Sequence, residues 1–373
     1  MIKILLIANT DWYLYRFRLS LAKYLRAQGM DVAFVSPSGP YVREIEAQGF
    51  RWLEWSVGRQ TINPFGEIKS VLNLVRIFQR EHPSLVHLHT IKAVLYGSLA
   101  ARLVKLPAVV RSITGRGYVF LGRDLRARLL KPLVKRTYRL MLKAGATIFE
   151  NQTDRQYFLD EALVHSEHSF VIEGVGVDTD YYSSLPEPEG MPTVLMAGRL
   201  LWDKGVGTFV EAARLLKQNM EVRCILVGEA DPGNPASISI NVVQNWVSEN
   251  IVEWWGWQAD MRAVFAAVHL VVLPSLGEGI PTVLLEAASC GRPIVATDVP
   301  GCRDVVQDGV NGLLVPPNDP GALTSAMSKL LLDRSLRGKM GEQGRLLVEQ
   351  RFSDHHIIAQ TLKLYLQLLD DGL

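Results

Sequence analysis

Short apolar runs rich in valine, isoleucine and leucine alternate with longer stretches of helical periodicity along nearly the whole chain. A strand that is apolar on both faces must be covered on both. The crossover that returns a parallel strand is long enough to hold a helix, so this alternation predicts doubly wound parallel sheets rather than hairpins or bundles. In the first half the expected strands are 2–8, 31–36, 85–88, 108–112, 147–150 and 170–172, with a helix over 17–28 that Gly29 closes. The pattern loosens over 174–180 and through the Pro, Ser and Glu-rich stretch 183–190, then restarts with strands at 193–197, 223–227, 252–254, 270–273, 294–297 and 312–315. The expected organisation is a Rossmann-like domain over 1–173, a linker over 174–190, a second Rossmann-like domain over 191–352 and a final helix over 353–373. That helix spaces Ile357, Ile358, Leu362, Tyr365, Leu366 and Leu369 on one apolar face.

Length and composition agree with two cores. At 373 residues the chain exceeds the size at which one core keeps growing, and 48% hydrophobic against 21% charged residues leaves no long disordered tail. A net charge of +2 gives no footprint for nucleic acid. Cys224, Cys290 and Cys302 form neither a disulfide frame nor a metal-ligand spacing, which fits a reducing cytoplasm. The first residues read as a strand rather than a leader peptide, and no apolar run reaches the length of a spanning helix, so membrane contact is expected to be peripheral. There is no Gly-x-Gly-x-x-Gly after the first strand and no P-loop, which removes the main support for nicotinamide chemistry or ATP hydrolysis.

In open α/β sheets ligands sit beyond the carboxyl ends of the strands, so the chemistry is expected in loops there, in a cleft where two such domains face each other. The strongest signal follows the strand at 270–273. The glycine-rich loop Gly277-Glu278-Gly279-Ile280 runs into Pro281-Thr282-Val283, where proline suits a helix start, and Gly291 closes the helix. Amides near Pro281, Thr282 and Val283, together with the positive end of the helix dipole, suit a diphosphate. Thr282, Glu286 and Ser289 share a face of that helix, and vicinal ribose hydroxyls are a partner that would offset burial of Glu286. The second signal is Gly198-Arg199 through Lys204-Gly205, whose two cations are placed to clamp a diphosphate, Arg199 with its fork and Lys204 as a point charge.

These motifs resemble the retaining GT-B glycosyltransferases of family 4. The resemblance rests on Glu278 and Glu286 with seven residues between them, on the Gly-Arg-x-x-x-x-Lys-Gly loop at 198–205, and on the segments 301–306, 308–312 and 316–320. It implies two doubly wound Rossmann-like domains facing across a cleft, with the last helix crossing back to the N-terminal domain. It also implies catalytic roles for Glu278, Arg199 and Lys204, and donor contacts from Glu286, Gly279, Ile280, Pro281, Thr282 and Val283, with Trp257 and Gln258 at the base. The first half is similar to a subgroup acting on polyprenyl-diphosphate-linked sugars that includes N-acetylgalactosaminyl α-1,3-transferases. That likeness is carried by Tyr15-Arg16-Phe17-Arg18, Ile62-Asn63-Pro64-Phe65, Ile91-Lys92 with Gly97, and Thr114-Gly115 with the residues to Phe120. It implies an acceptor site at Arg16, Arg18, Lys92, Thr114 and Gly115, a UDP-sugar donor of the N-acetylhexosamine kind, and transfer to a polyprenyl-diphosphate-linked saccharide in bacterial surface-glycan assembly. A sugar-nucleotide 2-epimerase of the same fold and a non-catalytic nucleotide-sugar-binding protein are the alternative readings. No metal and no cofactor is expected.

Three further features complete the reading. Residues 116–143 carry nine basic residues against the single acid Asp124, interleaved with leucines, and are expected to lie on an anionic membrane surface from the cytoplasmic side. His87 and His89 flank Leu88 at a strand end and are expected on opposite faces, in core roles. Asp178-Thr179-Asp180 matches a metal-binding Asp-x-Asp only superficially, because its flanks offer no further ligands.

Overall fold

The structure, a computed structural model, describes residues 1–58, 64–115, 120 and 125–371. The chain divides into two compact units, Met1–Val175 with Ile357–Leu373, and Gly176–His356.

The first unit is built on a parallel seven-stranded sheet: β1 (Lys3–Ile7), β2 (Asp31–Ser36), β3 (Arg51–Glu54), β4 (Leu85–His89), β5 (Ala108–Ile113), β6 (Ala146–Phe149) and β7 (Ser169–Val171), in the order β3-β2-β1-β4-β5-β6-β7. Alternate side chains feed two cores, as a doubly wound sheet requires. Ile4, Leu6, Phe34 and Val110 pack with the helix Asp11–Ala27 and the last helix, Asp354–Asp371. Leu5, Ile7, Val35 and Leu88 pack on the other face with Pro64–Glu81, Ile91–Val104, Leu125–Met141 and Gln152–Asp160.

Strand β3 has no counterpart in the sequence reading. Its Arg-Trp-Leu-Glu lies at the sheet edge with both ends exposed, so it lacks the apolar run that marks the other strands. It is held by pairing with β2, by the Trp52 indole donating to Ser36 Oγ at 3.0 Å, and by Arg51 contacts to Glu81 and Asp31 at 3.0 and 3.2 Å. The last helix buries Ile357, Ile358, Leu364, Tyr365 and Leu369, whereas Leu366, expected on that face, is exposed.

The second unit holds a parallel six-stranded sheet: β8 (Thr193–Ala197), β9 (Arg223–Val227), β10 (Glu253–Trp254), β11 (Leu270–Leu273), β12 (Ile294–Thr297) and β13 (Gly312–Val315), in the order β10-β9-β8-β11-β12-β13. Strand order reverses between β8 and β11, which makes their carboxyl ends the topological switch point.

The stretch read as a linker joins the second unit from Gly176 onward. Val177 exchanges backbone hydrogen bonds with Phe352 and Asp354, and buried Tyr182 offers its carbonyl to Ser289 Oγ at 2.6 Å and to Arg345 Nη1 at 2.7 Å. The stretch forms no helix and no regular strand, but Val177, Tyr182 and Glu187 give its backbone side chains to pack. Glu187 accepts both arms of the Arg337 fork at 2.8 and 2.9 Å.

Burial pushes the Glu187 carboxyl up, yet the hydrogen bonds and charge of Arg337, with His269 and Arg334, outweigh it and hold the group below its ordinary value. A carboxylate whose pKa is lowered by folding stabilises the protein above its unfolded pKa of about 4.3, and that contribution is lost as the pH falls through the folded value. Glu187→Gln is therefore expected to cost about 2 kcal/mol at neutral pH. Urea melts at pH 7 and pH 3 check this: the gap between variant and wild type should narrow at the lower pH.

Candidate active site

The loops beyond the carboxyl ends of β8 to β12 are tied together by glycine backbones that leave no room for a side chain. A Cβ on Gly228 would lie 1.9 Å from the Gly198 carbonyl oxygen, one on Gly205 1.9 Å from that of Pro274, and one on Gly301 1.9 Å from that of Gly279. All three have positive φ, which only glycine adopts cheaply. The Leu276 amide donates to the Asp203 carbonyl at 2.9 Å, and Thr297 Oγ1 donates to the Ser275 carbonyl, so the loops after β8, β11 and β12 form one assembly.

Within that assembly Lys204 Nζ contacts both carboxylate oxygens of Glu278, at 2.6 and 2.5 Å, across 74 residues of sequence. Arg199 Nη1 donates to Asp231 Oδ2 at 2.8 Å; the Asp231 side chain is nearly buried while that of Arg199 is half exposed. The segment bearing Asp231 is laced to the Arg199 loop by Leu200 N to Glu229 O, Trp202 N to Ala236 O and Ile238 N to Leu200 O. Nothing in the sequence pattern pointed to Asp231, which stands 32 positions beyond Arg199 in a loop of glycine, proline and asparagine.

The helix after the loop is Thr282–Ser289 with Pro281 as its N-cap in extended conformation, and the Leu284 amide is the first to bond back to the Pro281 carbonyl, at 3.0 Å. The amides of Thr282 and Val283 stand at the first two helical positions, ahead of the intrahelical ladder, beside half-buried Gly279 and buried Ile280. Glu286 is buried in the helix. Ser289, read on the same face, is structural: it donates to the Tyr182 carbonyl and accepts from Arg345. Beyond β10, Trp257 is about half exposed at 51%, and Gln258 Nε2 donates to the Trp255 carbonyl at 2.7 Å. Burial pushes the Cys302 thiol up, and the charge of nearby Glu278 adds to the effect; Cys224, Cys290 and Cys302 are all buried free thiols.

The residues singled out in the first unit follow three different strands: Arg16 and Arg18 after β1, Lys92 after β4, and Thr114 and Gly115 after β5. Arg16 and Thr114 are exposed and Gly115, at φ +120°, is half buried. Lys92 Nζ donates to the Gly58 carbonyl at 2.7 Å and to Glu67 at 2.8 Å. Arg18 is buried and donates to the Tyr13 hydroxyl at 2.9 Å. Ile62 and Asn63 lie outside the described residues.

His87 and His89 require a correction. Residues two apart share a face of a strand, and the rings lie 3.8 Å apart between centroids rather than on opposite sides of the sheet. His87 Nδ1 meets the Tyr365 hydroxyl at 2.5 Å and Nε2 meets Ser112 Oγ at 2.7 Å. Burial first, then the Arg18 charge, holds both imidazoles well below their usual range, so they are neutral at physiological pH. The next residue, Thr90, has φ +72°, a strained conformation for a β-branched side chain.

Asp178 Oδ1 accepts from the amides of Asp180 and Tyr181 at 3.1 and 2.8 Å, a local turn. Among the described residues no group of three or more His, Cys, Asp or Glu side chains is placed to hold a metal ion.

Two doubly wound sheets, with cationic and glycine-tied loops and a helix start at the switch point of the second, are the architecture of the GT-B glycosyltransferases. Residues 3–152 match the family model described as glycosyl transferase 4-like, and residues 191–333 match that of the glycosyl transferases group 1. Together the two models span most of the chain, which makes it a glycosyltransferase of two such halves. It is 28% identical to the N,N'-diacetylbacillosaminyl-diphospho-undecaprenol alpha-1,3-N-acetylgalactosaminyltransferase of Campylobacter jejuni, over 94% of this chain and 95% of that one. It is 26% identical to the UDP-Gal:alpha-D-GlcNAc-diphosphoundecaprenol alpha-1,3-galactosyltransferase of Escherichia coli, over 77% and 78% of the two chains. In fold it is similar to HepE of Anabaena, solved in complex with UDP and glucose, with a TM-score of 0.80 at 21% identity over 97% of this chain and 99% of that one.

Gly301→Ala should force the Gly279 carbonyl away and destabilise the second unit by about 2 kcal/mol or more. Hydrogen exchange is the check: amides over 277–280 should lose protection in the variant, while those of β1 and β4 keep it.

Proposed function

We propose that the protein transfers a sugar from a UDP-sugar, an N-acetylhexosamine nucleotide in our reading, to a polyprenyl-diphosphate-linked saccharide in the assembly of a bacterial surface glycan, with retention at the anomeric carbon. The observation that carries the reading is the Lys204–Glu278 contact beside the start of the Thr282–Ser289 helix. The chemistry of a leaving diphosphate calls for positive charge and aligned amides close to a group that holds the sugar. The named substrates of the two relatives supply the substrate class.

In this mechanism Arg199, Lys204 and the amides of Thr282 and Val283 receive the charge that grows on the departing diphosphate. Glu278 orients the donor sugar, and Gly279, Ile280 and Pro281 bring backbone close to it. Glu286 holds the ribose hydroxyls, while Trp257 offers a stacking face and Gln258 an amide to the base. The acceptor proton passes to the leaving phosphate oxygen on the same face, which needs no separate general base. The cations of the chain serve the leaving group without a metal, so chelator is expected to leave turnover intact. On the acceptor side Arg16 and Thr114 present exposed polar groups and Gly115 leaves room for close approach. Lys92 and Arg18 act from beneath, through the neighbours that hold them.

A polyprenyl tail places the acceptor in a membrane, so the enzyme works peripherally at the cytoplasmic face of a bilayer. No helix among the described residues is long and apolar enough to cross one. Of the basic stretch 116–143, residues 116–119 and 121–124 lie outside the described residues.

Glu278→Ala, Arg199→Ala and Lys204→Ala are each expected to lower kcat by about 10² or more with the melting temperature little changed. Assay with a panel of UDP-sugars and a lipid-diphosphate-linked acceptor, followed by NMR of the new anomeric centre, checks both rate and stereochemistry. Near-normal turnover in all three variants, or an inverted product, would count against the mechanism.

A further inference from the structure

Helices Pro64–Glu81, Ile91–Val104 and Leu125–Met141 lie side by side, in that order, on one face of the first unit's sheet. Their outward surface has an unusual composition. Ile68, Leu72, Leu99, Leu103, Leu133 and Leu140 are between 37% and 63% exposed. Arg76, Arg102, Arg136 and Arg139 are exposed among them.

Acids are the missing component. The three helices contain only Glu67 and Glu81. Glu67 is bound to Lys92 at 2.8 Å, and Glu81 is buried against Arg51 and Arg80 at 3.0 and 3.1 Å. Beyond the third helix on the same face, the helix Gln152–Asp160 ends at exposed Asp160, and Glu161 is paired with Lys135 at 2.5 Å; the opposite side of the sheet carries Glu44, Glu46 and Asp370 exposed on its helices. Ordinary soluble surfaces intersperse both signs of charge and scatter their leucines. Large aliphatic side chains interleaved with arginine, without a carboxylate to repel phosphate, are the composition of a surface that rests on anionic lipid.

We propose that this three-helix face is the bilayer-docking surface of the protein: its aliphatic side chains enter the headgroup boundary and its arginines meet anionic headgroups. The proposal rests on the reading of a lipid-linked acceptor, and it extends the contact expected from residues 116–143 to two further helices.

The test uses the full chain and two triple variants, Arg76→Glu/Arg102→Glu/Arg136→Glu and Ile68→Ser/Leu103→Ser/Leu133→Ser, each first shown to melt like the wild type. Co-sedimentation with phosphatidylglycerol–phosphatidylcholine vesicles, and with phosphatidylcholine alone, reads the partition directly. The wild type should bind the anionic vesicles and release at high salt. At about fivefold per basic residue, the charge variant should lose about 100-fold or more, and the serine variant about tenfold or more. Both should turn over a short-chain water-soluble acceptor at the wild-type rate and fail on a long-chain acceptor embedded in vesicles. Wild-type protein that ignores anionic vesicles, or variants that bind as it does, overturn the proposal. So does a wild-type dimer that the serine variant dissolves while vesicle binding persists, which assigns the face to a second copy. If the wild type binds vesicles through this face but turns over neither acceptor, the surface stands and the proposed reaction fails.

Discussion

The ion pair between Lys204 and Glu278 sets the charge that the second unit's site presents, and it rests on a backbone contact that only glycine allows. It joins the loop after β8 to the loop after β11, the two strands that flank the reversal of strand order. Neither side chain would meet the other if the loops were not already in backbone contact, and that contact needs Gly205 against the Pro274 carbonyl. Parallel topology thus brings the loop starts together, glycine lets the backbones touch, and charge complementarity fixes what the touching loops present.

Much of the fold was legible because a strand buried on both faces is a run of apolar residues whatever its neighbours do. β8, β9, β11, β12 and β13 fall where the sequence places them. Edge strand β3 escaped because its stability comes from one neighbour and from Arg51 ion pairs, neither of which leaves an apolar pattern. The stretch from Gly176 to Gly190 read as part of a tether because its second half is rich in proline, serine and glutamate, yet one arginine fork and one buried tyrosine are enough to seat the chain.

Side-chain pairing was harder to foresee than backbone. The helix start near Pro281 and the cationic loop have local signatures, so both were found in the sequence. Asp231 has none, as its role is defined by Arg199 alone. The histidine pair shows the cost of misreading a period of two: placed on one face, His87 and His89 form a buried neutral pair with Tyr365 of the last helix on one side and Ser112 on the other. The hydrogen bond from residue 87 to residue 365 ties the C-terminal helix to the strand that precedes Lys92, a link no local pattern encodes.

The Lys204–Glu278 pair also bears on competition. A lysine that already carries its counter-ion presents little net charge to its surroundings, so abundant small anions such as phosphate or chloride gain little by approaching it. A ligand that offers an anion to the lysine and hydroxyls to the glutamate can separate the pair and satisfy both partners. Selection against the background of simple salts then comes from the two-part nature of the ligand rather than from the strength of either contact.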